Sequence, residues 1–232
     1  EFHMGASDDM AFPEEKQQPT AYLDAFWMDQ IEVTNSMFSA FLNSWGNELE
    51  GGATWFNDAN GESYLTNSVG GWQVKSGYES HPVVEVSWFG ARAYCQWAGR
   101  QLPTEAQWEK AARGDKDRRA YPWGEAFDAT RCNSHDLGVG DTTPVGIFPE
   151  GASPYGVLDL SGNVWEWTRS NYQDYPYNPD DGREKLDNND LRVLRGGAFG
   201  YLQFSVRCAY RLGADPLSRA SRVGFRVVVV PV

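Results

Sequence analysis

At 232 residues, with 41% hydrophobic and 22% charged side chains, the chain falls in the range where a single core can form. A formal net charge of −12 argues against nucleic acid as a partner, since phosphate contacts need clustered Lys and Arg. No apolar run reaches the length that spans a bilayer.

Ten Trp, eleven Tyr and twelve Phe stand among 24 Gly and 12 Pro. This composition describes large rigid side chains packed between many turns rather than long helices. The cysteines at 95, 132 and 208 are an odd count without metal-type spacing, so they form no disulfide framework. No signal peptide is visible and no initiator Met opens the chain, which leaves the compartment open.

In chain order, Phe2 to Gly5 reads as a short strand and Ser7 to Gln18 as a polar loop. Ala21 to Thr34 alternates well enough for one or two strands. A first helix starts at Thr34 or Asn35 as N-cap, with Met37, Phe38, Phe41 and Leu42 on one apolar face. Gly46 to Ser80, rich in Gly, Asn and Ser, is expected to be an irregular loop pinned by Trp55, Tyr64 and Trp72. A second helix follows the N-cap Ser87, buries Ala91, Tyr94, Cys95 and Ala98, and stops at Gly99. In the third, Thr104 and Gln107 form a capping box, Trp108, Ala111 and Ala112 continue the inner face, and Gly114 ends it.

From Asp115 onward turns dominate. Strands are expected near Val164 to Thr168, Leu191 to Arg195 and Gly224 to Val230, with Val227 to Val230 a buried final strand. There is no internal repeat and no low-complexity linker, so residues 1–232 are expected to form one domain.

A set of motifs in fixed order carries a resemblance. His81-Pro82-Val83 precedes Val86-Ser87-Trp88. Arg100-Gln101-Leu102-Pro103-Thr104-Glu105-Ala106-Gln107-Trp108-Glu109 comes next, followed by Tyr121-Pro122-Trp123-Gly124 and Thr143-Pro144-Val145-Gly146. Gly156-Val157-Leu158-Asp159-Leu160, Gly162-Asn163-Val164-Trp165-Glu166-Trp167, Arg195-Gly196-Gly197 and Gly224-Phe225-Arg226 complete the series. Together they resemble the formylglycine-generating-enzyme (sulfatase-modifying factor) family over practically the whole chain. The resemblance implies an α+β domain with a C-type lectin-like fold of the formylglycine-generating-enzyme type. Two or three helices, small twisted antiparallel sheets and much irregular backbone are expected. Function does not follow from fold alone.

The family's oxidases hold copper(I) on two cysteines, five residues apart, near the C-terminus. Here the matching segment, Arg207-Cys208-Ala209-Tyr210-Arg211, supplies Cys208, and Gln203 stands five residues earlier. An amide oxygen is a poor ligand for a soft ion, so no copper is expected and the oxidase, with Cys208 as its catalytic residue, becomes the alternative. Cys208 then reads as a small buried hydrophobe. Related sulfoxide synthases use a His-rich iron site, whereas His3, His81 and His135 are isolated, and no nucleophile elbow is present. His81 before Pro82 is read as satisfying backbone groups in a turn.

Residues 198–222 show neither period 2 nor period 3.6 and lie between two regular motifs, which describes a surface displayed on a scaffold. The layout resembles the variable proteins of diversity-generating retroelements. It implies non-catalytic recognition of a protein or other macromolecule. The expected ligand-binding residues are Phe199, Tyr201, Leu202, Gln203, Phe204, Ser205, Tyr210, Leu212, Leu217, Ser218, Ser221 and Arg222.

Family members also commonly hold calcium. The resemblance carries that over to Asn133, Ser134 and Asp136 in one loop and to Ser161, Gly162, Val164 and Glu166 in another, several through backbone carbonyls, as a structural Ca2+. Set beside this, Asn163 and Glu166 can instead tie their turn through hydrogen bonds. Of Trp108, Trp123, Trp165 and Trp167 most are read as core, since Trp108 lies on the inner helical face and Trp165 and Trp167 share one strand face. The Glu-Pro-Asn type tripeptide of calcium-dependent sugar binding is also missing from the sequence.

Overall fold

The computed structural model describes residues 1–6, 10–16, 20–59, 61–116 and 118–231. Helices form where cap and periodicity coincide. In α1 (Asn35–Trp45) the Thr34 hydroxyl accepts from the Met37 amide, and Phe38, Phe41 and Leu42 are buried. Met37 lies outside that face, 41% exposed, because it sits one residue off the i, i+3, i+4 stripe.

In α2 (Trp88–Ala98) Ser87 accepts from Gly90, and Gly99 closes the helix in the left-handed conformation. A Cβ at Gly90 would lie 2.4 Å from the Trp55 carbonyl oxygen. Glycine there lets the first turn rest directly on backbone. In α3 (Glu105–Arg113) Thr104 and Gln107 form the reciprocal capping box.

Strands are short. β1 (Phe2–His3) pairs with β2 (Thr20–Ala21), and β3 (Trp27–Met28) receives the end of the chain. The segment expected to be an irregular loop after α1 contains two hairpins, β4 (Leu49–Glu50) with β5 (Ala53–Thr54) and β6 (Leu65–Ser68) with β7 (Gly71–Val74). Their polar, Gly-rich composition hides the alternation that marks a strand. Trp55 and Trp72 pin this region, both 8% exposed. Of the expected polar loop near the N-terminus, residues 7–9, 17 and 18 lie outside the described residues. Pro13–Glu15 forms a 3₁₀ turn that buries Glu15.

The central sheet runs β10 (Arg211–Ala214), β9 (Arg192–Arg195), β8 (Trp165–Asn171), β11 (Val223–Gly224). β11 joins β8 in parallel, Val223 opposite Trp165, so the sheet is mixed rather than purely antiparallel. The final strand β12 (Val228–Val229) pairs with β3, Val228 opposite Met28. β10 falls inside the segment expected to lack a strand. Its inward position is Arg211, 3% exposed, so the alternation is present but carried by a charge.

The main core gathers aromatics from α1, α2 and the central sheet. Phe38 stacks on Tyr94 at 5.9 Å, Phe41 on Trp55 at 5.5 Å, and Phe225 meets Tyr94 edge-on at 5.3 Å. Trp165 and Trp167, two apart on β8, are both buried. Each fully buried aromatic contributes about 1.5–3 kcal/mol of transfer free energy.

A buried ionic cluster joins α3 to the sheet. Glu105 is gripped by Arg211, Nε to Oε1 and Nη2 to Oε2, both at 2.7 Å. Arg195 bonds Glu109 and lies 3.3 Å from Glu105, and Arg113 lies 3.1 Å from Glu109. Among the described residues no helix is long and apolar enough to cross a membrane.

Candidate functional site

Residues 198–222 leave β9 through Gly196-Gly197 and are held by backbone at nearly every step. Phe199 N donates to Asn163 O at 3.0 Å, and Tyr201 O accepts from His135 N at 3.0 Å. Gln203 N donates to Asp136 Oδ2 at 3.1 Å, and Cys208 N to Ala120 O at 2.7 Å. Arg207 reaches down to Glu15, 2.8 Å from Oε2. Beyond β10, Pro216 O accepts from Trp88 N, Ala220 O from Glu85 N, and Arg222 O from Trp165 N. Arg195 Nη1 donates to the carbonyls of both Cys208 and Tyr210.

On this frame the side chains sort into three levels. Leu202, Gln203, Phe204, Leu212, Ser218 and Arg222 are exposed. Tyr201, Tyr210, Leu217 and Ser221 are half-buried, and the first three of these pack on the main core. Phe199 and Ser205 are buried, 7% and 2% exposed, so they form the floor and not the surface. The Phe199 ring instead lies under the Arg222 guanidinium at 5.2 Å.

One member of the face is missing from the sequence reading. Phe12, 41% exposed, meets Tyr210 edge-on at 5.8 Å, and Phe204 approaches the same ring at 6.4 Å. Its only signal is a lone aromatic in a polar loop, almost two hundred residues from its neighbour.

The thiols lie elsewhere. Cys95, Cys132 and Cys208 are all free and buried. Cys208 packs with Trp108, Ala112, Val157 and Leu160, and burial raises its thiol to about 12. Gln203 is exposed. Cys208 is therefore a core thiol, while the residue five positions before it is on the surface. His81 is held by side chain as well as backbone: Nδ1 lies 2.8 Å from the Thr142 hydroxyl, and the ring lies against Tyr78 at 4.6 Å. Burial lowers the His81 pKa. Trp108 is buried as well, and Trp123 stacks half-buried on Tyr121 at 5.3 Å.

The two loops expected to hold calcium are brought together. Asn163 N donates to Asn133 O at 2.7 Å, and a Cβ at Gly162, where φ is +84°, would lie 2.2 Å from that carbonyl oxygen. Only glycine permits this approach.

The donors themselves are already engaged. Both oxygens of Glu166 face Arg226, at 2.6 and 2.7 Å, and Oε2 also accepts from Trp108 Nε1 at 2.7 Å. Ser161 donates to Val206 O at 2.7 Å, and Val164 is fully buried. Asp136 is exposed and bonded to Gln203, while Ser134 is buried. Two buried side-chain oxygens of these loops, Asn133 Oδ1 and Ser134 Oγ, stand without a hydrogen bond among the described residues. Among the described residues no three His, Cys, Asp or Glu side chains converge on a metal-sized site. The set's one fully buried carboxylate is engaged by Arg226, so a cation here would rest on backbone carbonyls together with Asn133 Oδ1 and Ser134 Oγ. Asn163 ties the turn, its Oδ1 accepting from Thr143 N at 3.0 Å and Asn133 Nδ2 at 3.2 Å.

Comparison with known proteins agrees with the fold. The model of the sulfatase-modifying factor enzyme 1-like domain matches residues 1–230. The formylglycine-generating enzyme of Thermomonospora curvata is 33% identical over 279 residues, covering 99% of this chain and 91% of that protein. The serine/threonine-protein kinase pkn1 of Chlamydia caviae is 36% identical over 211 residues, 88% of this chain. The chain spans only 33% of the length of that chlamydial relative. Among solved structures, Treponema denticola variable protein 1 superposes with a TM-score of 0.75 at 20% identity, covering 99% of this chain and 91% of that one. The architecture is thus the α+β, C-type lectin-like fold of the formylglycine-generating-enzyme type. By its sequence, this chain belongs to the family of sulfatase-modifying factor enzyme 1-like domains.

Proposed function

We propose that this chain is a non-catalytic recognition protein, of the retroelement variable-protein kind, whose 198–222 segment is a diversified face for a protein or other macromolecular ligand. One observation carries the reading. The exposed side chains Leu202, Phe204 and Leu212 rise from a backbone whose Cys208 and Tyr210 carbonyls accept from buried Arg195 and whose Phe204 carbonyl accepts from buried Arg207. Exposed positions on a fixed frame can change identity at little cost to folding, which diversification requires.

Aromatic and aliphatic groups beside an Arg also suit an interface core. The likeness to the Treponema variable protein supports the scaffold, and nothing in the reading needs a metal.

The alternative, a copper-dependent oxidase or accessory enzyme, draws on the identity to formylglycine-generating enzymes. Against it stands Cys208, fully buried in an apolar cluster.

Two measurements separate the readings. Sequencing the gene neighbourhood is expected to find a copy of the 198–222 coding region that differs only at adenines. Incubating the chain with Cu(I), oxygen and a Cys-containing sulfatase peptide is expected to leave the peptide unchanged. Aldehyde formation there would replace the recognition reading with the oxidase.

A further inference from the structure

Beside α2 lies a cavity of about 340 Å³ that shares no residue with the recognition face. Its walls include Arg92, Arg100, Arg169, Gln101, Leu102 and Leu186, and no carboxylate lines it. Three guanidinium groups around one small cavity stand out in a chain of net charge −12.

Their existing partners leave capacity to spare. Arg169 Nη1 donates to Gln101 Oε1 at 3.0 Å and Nη2 to the Glu184 carbonyl at 3.1 Å, while Nε is 3.6 Å from Glu184 Oε2 and has no hydrogen bond. Arg92 pairs with Glu50 and donates to Leu186 O at 3.0 Å, and its buried Nε is likewise without a hydrogen bond. Arg100 is exposed, and among the described residues its side chain has no hydrogen bond or ion pair.

A fourth cation stands behind the wall. Arg192, fully buried, stacks on the Trp88 ring at 4.0 Å, and burial together with neighbouring Arg92 lowers its pKa to about 10. The charged side chains of the cavity wall itself are thus all guanidinium groups, next to the apolar surfaces of Leu102 and Leu186.

We infer that this cavity is a binding site for a small organic anion, an oxyanion held by Arg100 and Arg169 with an apolar body against Leu102 and Leu186. Guanidinium forks match planar oxyanions, and the volume lies at the lower end of small-molecule sites. The oxyanion chemistry is common to carboxylates and phosphate monoesters.

Titration calorimetry on the full chain, using sodium benzoate, phenyl phosphate and neutral benzyl alcohol as probes, tests the assignment. At least one anion is expected to bind saturably, and comparison of the two identifies the preferred oxyanion. Arg100→Gln, an exposed substitution that leaves the fold intact, is expected to weaken that binding about tenfold, as does loss of one charged hydrogen-bond donor. Arg169→Gln should weaken it further. Benzyl alcohol binding as tightly as the anions, no saturable heat from either anion, or an unchanged affinity in Arg100→Gln would each overturn the proposal.

Discussion

Arg226 closes over Glu166 with two parallel hydrogen bonds, Nε to Oε2 at 2.7 Å and Nη2 to Oε1 at 2.6 Å, both side chains fully buried. Arg226 also donates to the Leu158 carbonyl at 2.9 Å, so the pair joins β8, the last stretch of chain and the loop before β8. Removing one partner strands the other charge in the core. Arg226→Ala is expected to cost about 3–5 kcal/mol in urea denaturation. A cost under about 1 kcal/mol would show that the pair is not closed in solution.

The same pairing predicts the response to chelation. Because Arg226 and not a cation neutralises Glu166, EDTA is expected to leave Tm unchanged. For a chain of this size each kcal/mol corresponds to about 2–4 °C. A fall of several degrees, reversed by calcium, would show a stabilising ion that Arg226 does not replace.

The 198–222 segment divides by burial. Leu202→Ser, Phe204→Ser and Leu212→Ser are expected to change stability by no more than about 0.5 kcal/mol each, as exposed substitutions do. Tyr201→Ala, Tyr210→Ala and Leu217→Ala remove half-buried packing and should cost about 1–3 kcal/mol. Phe199→Ala, in the floor, should cost about 3–5 kcal/mol. Equal losses across the three groups in urea melts would mean that the whole segment is core.

Glu32 gives the fold a pH dependence. It is buried, its Oε1 accepts from Asn163 Nδ2 at 3.0 Å, and its Oε2 has no hydrogen bond. Burial first, and then the adjacent Asp159 carboxyl, raise its pKa well above the ordinary 4.5. The folded state therefore holds this proton at pH values where the unfolded chain has released it. Its contribution is fully present below pH 4.5 and is lost as pH rises through the folded value. Glu32→Gln, which keeps the acceptor and cannot ionise, is expected to flatten this part of the profile and to stabilise the protein at neutral pH. Parallel stability–pH curves for the two proteins would contradict the assignment.

All three thiols should be silent in the native state. Burial raises Cys132 and Cys208 to about 12 and Cys95 higher still, and the thiolate is the reactive form. Ellman's reagent at pH 8 is expected to leave the folded chain unmodified and to label every cysteine after denaturation. Rapid labelling of Cys208 in the native protein would place it within reach of a metal and revive the oxidase.

Much of the scaffold was legible because its signals are local. Thr34, Ser87 and the Thr104–Gln107 box marked the three helix starts, and Trp165 and Trp167 are buried as their reading as core expects, although β8 is buried on both faces. Of segment 198–222, Leu202, Phe204 and Leu212 are exposed as its reading as surface expects, whereas Phe199 and Ser205 are buried and β10 runs through it. Caps and periods depend on neighbours a few residues apart, and sequence order records those directly. What the tertiary structure alone decided are pairings between distant residues. Arg211 conceals β10 because its charge is answered by Glu105, and Phe12 joins the face through Tyr210. Glu166 reads as a possible calcium ligand until Arg226 is seen against it. A buried charge is tolerated only beside its partner, and which residue that is depends on how the chain packs.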